Sequence, residues 1–501
     1  MSLSANPPVF SFDKVTPATI RQEANAIKQK FTSLINNIKR NSPSFALLNH
    51  ALGEASSASA HITLPSMVHG DSEVRAASNA MKDDIKTMFD TALSDNELYN
   101  ALINRGQGYG SYDDDVDSRF TQDILRMMER NGCRRACTAA AVEQSTIQMK
   151  RNQIEEICTA FCAAINEHDG YLLFTEEELE GLGNNDIDRY PIDETSTKRK
   201  IGLKAPSTLP ILKFAKNSNT RKQVMEALAN KCQEENTPRF LEVLKLRDEC
   251  AKLLGYESHG QYSCTVKMVG TPQKAEEFLL KLVDAYEPKC KQELELLLDL
   301  KKSDIIGDDD CDHVTLDPWD IAYYTTKHKM VHGVDEASLR QYFPLDHVKA
   351  TILSIYEELL GLKYEHIVDA KVWHDDVECY AVKSAEDGEL LGYFYLDIFP
   401  RTGKYSHQCV YPLRPSYTVS EESRVLPACV NIGNLTPSRE GAPSLLLFRE
   451  VETFFHVSEG SFSICFFVHF LIYTQTCTLY STFCILGVWP CHALLLDEIT
   501  T

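Results

Sequence analysis

Gly392-Tyr-Phe-Tyr-Leu396-Asp397-Ile-Phe-Pro400-Arg401-Thr-Gly403-Lys404-Tyr405-Ser-His407 is the stretch on which the fold turns. It completes a pattern that begins at Glu378: an apolar run to Lys383, the turn Glu386-Asp387-Gly388, then Glu389–Phe399. Asp-Gly between two aromatic-rich runs predicts a β-hairpin. Gln408–Tyr411 and Val425–Ile432 read as two further strands, so a small antiparallel sheet is expected here. Such a sheet can pair with an extended peptide backbone or serve only as scaffold.

Upstream, to about Leu360-Gly361, the texture is helical. Thr16-Pro17 is a helix start, with Ile20, Ala24, Ile27, Phe31, Leu34, Ile35 and Ile38 on one face. Ser72 opens a second helix, and Ile147 to Ile165 repeats at helical spacing. Tyr171–Phe174 predicts a short strand, and Thr175-Glu-Glu-Glu a helix with an acidic first turn. Pro206 and Pro210 predict a break in an extended stretch. Helices are expected over Arg221–Cys232, Phe240–Leu254 (capped by Gly255) and Ala275–Lys302. These textures divide the chain into a helical lobe over 1–170, a helical middle region over 171–365, the start of a catalytic region over 366–457 and an uncharged tail over 458–501.

Downstream of the sheet, Ser444-Leu-Leu-Leu-Phe-Arg-Glu-Val-Glu-Thr-Phe-Phe-His456 reads as an amphipathic helix, with Leu446, Phe448, Val451 and Phe455 on one side. A helix carrying His, then Glu, then a second His four residues after the first places two imidazoles on one face for zinc. The Glu stands beside the metal-bound water as base. His456 supplies the first position, Val457 stands at the base and Gly460 at the second ligand. Glu452 and Glu459 fall at i−4 and i+3 from His456 and form a weak substitute ligand set. No residue is left to name as catalytic.

Other chemistry-bearing patterns read as structure. His328-Lys-Met-Val-His332 has Lys329 at the base position and no third ligand, and so reads as two solvated histidines. Gly106-Gln-Gly108-Tyr-Gly110 is a loop without a preceding strand, and Asp308-Asp-Asp310 lacks the Gly and distal Glu of a calcium loop. Cys133/Cys137 and Cys158/Cys162 are helical neighbours without further ligands. The 501 residues exceed a single simple core. A net charge of −21 argues against nucleic acid and anionic membrane as partners. Sixteen cysteines without a secretory leader at Met1–Lys14 point to reduced thiols and a cytoplasmic location.

The Tyr395-Leu-Asp-x-x-x-Arg-x-Gly-Lys-Tyr-x-His407 stretch resembles the thimet oligopeptidase and neurolysin family of zinc metallopeptidases. Glu73-Val-Arg-Ala-Ala-Ser78, Leu253-Leu-Gly-Tyr256, Trp319-Asp320 with Tyr323-Tyr324, Tyr342-Phe-Pro344, Glu358–Leu362, Val372-Trp373 and Pro443–Leu446 are similar to family landmarks in the same order. The resemblance runs from about residue 10 to 456. It implies a mainly α, two-lobed helical ellipsoid with a deep central channel and a small antiparallel sheet before the zinc helix. It also implies a monomer that cuts short peptides with one zinc ion. In the family two His and a later Glu bind the metal and the Glu after the first His activates water. His456 matches the first ligand, while Val457 and Gly460 depart from the pattern, and Phe448 replaces a His usual ahead of it. Hydrolysis by this chain is therefore not expected, and a non-catalytic peptide binder is the alternative.

From Gly460 to Leu496 there is no Asp, Glu, Lys or Arg, and nothing resembles the family. The change of texture after His456 reads as a terminal exon wrongly joined or a splice variant. Length and neutrality would also allow one membrane span, which would make the chain a tethered helical protein, although its flanks carry no Lys or Arg; a packed helix pair is the third reading.

Overall fold

The computed structural model describes residues 7–12, 14–41, 43–106, 115–133, 138–305, 313–333, 336–420, 423–435, 437–438 and 443–462. The Gly106–Gly110 loop from Gln107 on, Cys137, Asp308-Asp-Asp310 and the tail beyond Phe462 lie outside them. The protein is mainly α, and its contacts divide it into two units: Met1–Gln144 with Glu336–Thr501, and Ser145–Asp335.

The first unit opens with α1 (Pro17–Arg40), α2 (Phe45–Thr63), α3 (Pro65–Val68), α4 (Ser72–Leu93), α5 (Asn96–Gly106) and α6 (Asp115–Arg130). Thr16 Oγ1 accepts the Thr19 N–H at 3.2 Å and Asp71 Oδ1 accepts that of Glu73 at 2.7 Å, so α1 and α4 begin at side-chain caps. Phe31, Ile35, Leu48, Leu52, Ile85 and Ile124 meet in one core, as the 3.6-residue spacing on α1 predicts. The unit boundary falls inside α7 (Thr138–Glu167).

In the second unit β1 (Tyr171–Phe174) pairs antiparallel with β2 (Arg199–Gly202), enclosing α8 (Asn184–Ile187). Then come α9 (Ala205–Phe214), α10 (Ser218–Ala229), α11 (Gln233–Leu253), α12 (His259–Cys264), α13 (Pro272–Asp304) and α14 (Pro318–Val331). Two expectations are corrected here. The helix predicted at Thr175 stops after one turn, although Thr175 and Glu178 do exchange capping bonds of 2.8 and 3.2 Å. Gly181, at φ +107° and pressed against the Phe214 carbonyl, turns the chain away. Pro206 and Pro210 lie inside α9 rather than in an extended break. Pro206 occupies the first turn, where no N–H is needed, and a ten-residue helix tolerates the single bond missing at Pro210.

Asp320, fully buried, ties this unit together. It pairs with the buried Arg221, accepts Lys301 Nζ at 2.6 Å, and accepts the Ser218 hydroxyl at 2.9 Å. Burial alone would raise its carboxyl; Lys301, Arg221 and Ser218 outweigh that and hold it below the ordinary range.

The first unit resumes with α15 (Glu336–Leu339), α16 (Leu345–Leu360) and a five-stranded sheet. The strands are β3 (Leu362–His366), β4 (Glu378–Ser384), β5 (Leu390–Asp397) and β6 (Cys409–Arg414). A two-stranded ribbon of β7 (Tyr417–Ser420) and β8 (Ser423–Val425) follows, and β9 (Ala428–Ile432) returns to the sheet, whose order is β3-β4-β5-β9-β6. The predicted hairpin is β4–β5; the sheet is antiparallel throughout except where β9 lies parallel to β5. Alternation fills two cores: Tyr393 and Tyr395 meet Phe10, Ala60 and Leu64 on one face, while Phe394 and Leu396 meet Ile352, Leu446 and Phe454 on the other. Among the described residues the last element is α17 (Phe448–Phe462).

Asp397, at the end of β5, is buried and shared. Arg401 donates to both its carboxylate oxygens at 2.6 Å, Lys404 Nζ lies 2.8 Å from Oδ1, and Trp373 Nε1 donates to Oδ2 at 2.8 Å. Lys404 also donates to the carbonyls of Asp397, Phe399 and Gly433 at 2.6–2.8 Å. Gly403, at φ +80°, lies so close to Arg75 and to the His69 carbonyl that a Cβ would come within 2.7 Å of that oxygen. Burial would raise the Asp397 carboxyl, but Arg401 and Lys404 hold it below the ordinary range.

Asp320→Asn removes one partner of a buried ion pair and is expected to destabilise by about 3–5 kcal/mol, read as a lower urea midpoint; an unshifted midpoint would refute the role given to it. A depressed carboxyl stabilises fully above its unfolded pKa of about 4, and the contribution is lost as pH falls through the lower folded value. Acid should thus unfold the wild type progressively below about pH 4, and Asp397→Asn should flatten that dependence while lowering stability at pH 7. Gly403→Ala should cost over about 1 kcal/mol from the left-handed backbone alone, again measured by urea unfolding.

Candidate active site

Sequence sets α17 in place from both ends. Leu345 N–H donates to the Ser444 carbonyl and Leu446 N–H to that of Phe343, each at 2.9 Å, while Arg340 Nη2 donates to the Leu445 carbonyl at 2.9 Å. Glu450 reaches back to accept the Leu447 N–H at 2.7 Å, which satisfies an otherwise orphan donor at the helix start. Farther along, the Tyr356 hydroxyl donates to the Phe455 carbonyl at 3.0 Å, and the two rings stack 5.4 Å apart.

The buried face differs from the one the sequence suggests. Leu446 is buried but precedes the helix, and Phe448 and Phe455 are exposed. Phe454, Val457 and Ser458 face the protein instead. Ser458 Oγ accepts from Asn431 Nδ2 of β9 at 3.3 Å and donates to the Phe454 carbonyl at 2.7 Å. The apolar run is long enough to offer two overlapping stripes, and the sheet selects the one that Ser458 and Asn431 can lock. Neither residue is flagged by its sequence neighbourhood.

His456 and Glu452, one turn apart, are both exposed on the side of α17 away from this core. Val457 is 8% exposed, so the residue at the base position is turned inward. The Glu459 side chain lies outside the described residues, as does any account of Gly460 beyond its place in the helix. A catalytic zinc takes three protein ligands and keeps one position open. Among the described residues no group of three or more His, Cys, Asp or Glu could hold a metal ion. His456 with Glu452 does not fit the group that the family resemblance implies.

The remaining candidates are apart from α17 in sequence. His328 and His332 stand at the end of α14, rings 4.1 Å apart, with His332 Nδ1 2.9 Å from the His328 carbonyl. Cys158 and Cys162 lie on α7 with free thiols, and burial pushes the Cys133 thiol up to about 12. Beside α17, β6 is the terminal strand of the five-stranded sheet and packs against the helix. No helix among the described residues is long and apolar enough to cross a membrane.

Comparison with known proteins gives this arrangement its context. Residues 211–458 match the Peptidase family M3 pattern, from α9 to the middle of α17. The chain is 34% identical to saccharolysin of Saccharomyces cerevisiae over 59% of its own length and 43% of that protein. It is 30% identical to the thimet-like oligopeptidase of Dictyostelium discoideum over 77% of its length and 58% of that protein. It is 25% identical to oligopeptidase PhomG of Diaporthe leptostromiformis over 90% of its length and 63% of that protein. It thus spans between 43% and 63% of the length of these curated relatives. The match extends through the Asp397 network and into the helix of His456, and the chain belongs to Peptidase family M3.

Proposed function

We propose that the chain is a cytoplasmic, monomeric member of the oligopeptidase lineage that takes short peptides and, as its sequence stands, does not hydrolyse them. By lineage the activity is that of a zinc-dependent metalloendopeptidase. The observation that carries the reading is the pairing of an exposed His456 with an inward Val457 on one helix. A valine side chain has no proton to accept, and general-base transfer contributes about 10²–10⁴-fold to such reactions. Gly460 adds no donor at the second ligand position. No step through a metal is derived from this set.

Peptide binding rests on different groups. An extended peptide can add to the edge of a sheet through main-chain hydrogen bonds. The edge strand β6 lies against α17, the element that carries His456, and is the place we assign to the substrate backbone. The excess of acidic groups favours neutral or basic peptides over anionic partners.

The test uses the chain confirmed by mass to end at Thr501, an internally quenched short peptide and added zinc. Turnover is expected to stay at the buffer level, with less than one equivalent of zinc retained after dialysis, while a fluorescent short peptide still binds by anisotropy. Chelator-sensitive turnover at the rate of an intact relative would overturn the catalytic part. Absence of peptide binding would overturn the rest.

A further inference from the structure

The last turn of α14 brings two imidazoles together, on a different helix from His456. Sequence gives them as two solvated histidines without a third ligand; the structure adds their mutual distance and a tautomer. His328 is half-buried and His332 exposed, and their ring centroids lie 4.1 Å apart with the planes inclined by 46°. The four-residue spacing stacks both on one face of the helix. His332 is the C-cap residue, and its Nδ1 lies 2.9 Å from the His328 carbonyl. A carbonyl oxygen has no hydrogen to give, so Nδ1 is the donor and holds the ring proton. The neutral ring then keeps its lone pair on Nε2, across the ring from that carbonyl. A backbone carbonyl accepting the other ring N–H is the bond that fixes tautomer and orientation in metal-ligating histidines. The surroundings favour a cation. The carbonyl end of a helix carries partial negative charge, and the charge of Lys327 is already paired with Asp304. Lys329 is exposed, where water and salt screen its charge.

We propose that His328 and His332 form a chelating site for a borderline divalent cation of the Ni2+ or Zn2+ kind, with water in the remaining positions. Imidazole is the ligand that such ions share. Two protein ligands fall short of the three that a catalytic zinc takes, so this is a reversible binding site and not a second catalytic centre. Its affinity comes from chelation: once one imidazole is bound, the other is held beside the ion at high effective concentration. A filled site ties His328 to the C-cap residue and holds the last turn of α14 against fraying. The proposal rests on α14 and is independent of peptide binding and turnover at α17.

The test titrates the untagged 501-residue chain with Ni2+ alone, by calorimetry and by amide exchange. Wild type is expected to show a Ni2+ site that either His328→Ala or His332→Ala weakens by at least about tenfold, since each change removes the chelate. Exchange over residues 326–333 should slow when Ni2+ is added to wild type and stay fast in both variants. A permuted variant, His332→Met with Met330→His, keeps the number of histidines but sets them two residues apart, where they do not face each other. It is expected to bind as weakly as the single variants, with circular dichroism confirming that the helix content is kept. Unchanged affinity in either single variant, or wild-type affinity in the permuted one, overturns the site. So does unchanged exchange over residues 326–333 in wild type with Ni2+ bound, however the variants fold.

Discussion

The carboxylate of Asp397 is the constraint on which the sheet and its neighbours depend. It is fully buried, and an ionised carboxylate in that position survives only because Arg401, Lys404 and Trp373 all point at it. Besides its charge contact with that carboxylate, Lys404 aims its three N–H donors at the carbonyls of Asp397, Phe399 and Gly433, which fixes the chain leaving β5 against the chain leaving β9. That is the point where the sheet contains its one parallel pairing, and where a longer crossover must be anchored rather than closed by a tight turn. Arg401 and Tyr405 extend the same anchorage to the carbonyls of Val68 and Met67, at the end of α3 and within it. The spacing Asp, Arg at i+4, Lys at i+7 is thus a set of distances measured across one buried charge.

This changes what the stretch says about function. Tyr395 to His407 is the part of the chain that most resembles the peptidases, yet Asp397, Arg401, Gly403 and Lys404 each have a structural partner. Asp397 needs no reacting group to account for its lowered carboxyl. A perturbed carboxylate is a candidate for chemistry only when its partners leave it something to do. Here its partners are all donors of the scaffold. Asp320 is the same case in the second unit, with Arg221, Lys301 and Ser218.

What the sequence made legible follows from how local each signal is. The cap at Thr16, the helix start at Ser72, the Asp387-Gly388 hairpin and the heptad-like spacing on α1 act within a few residues, and they appear where expected. The one-turn helix at Thr175 and the continuous helix through Pro206 and Pro210 were decided elsewhere, by the close pass of Gly181 to Phe214 and by packing of α9 on α14. β3 alternates over Leu362-Lys-Tyr-Glu, but it is five residues long and follows α16 with only Gly361 between them, so its pattern is too short to separate from the helix end; five residues of β4 hold it in register. On α17 the stripe through Phe448 and Phe455 and the stripe through Phe454 and Val457 are nearly equal in apolar content. Only the position of Asn431 on a strand about twenty-five residues earlier distinguishes them.

The register of α17 bears on the chemistry more than the missing letters alone do. His456 projects outward because Phe454, Val457 and Ser458 project inward, and the Ser458–Asn431 bond holds that rotation. A carboxylate placed at position 457 in this register would enter a site lined by the sheet. It would meet a desolvation cost of several kcal/mol unless the helix rolled. Rolling the helix would draw Ser458 away from Asn431 and lift Phe454 from the core. The helix has therefore settled where apolar burial places it, with Val457 toward the core and His456 toward solvent. Of these two adjacent positions the core claims 457 and leaves 456 exposed.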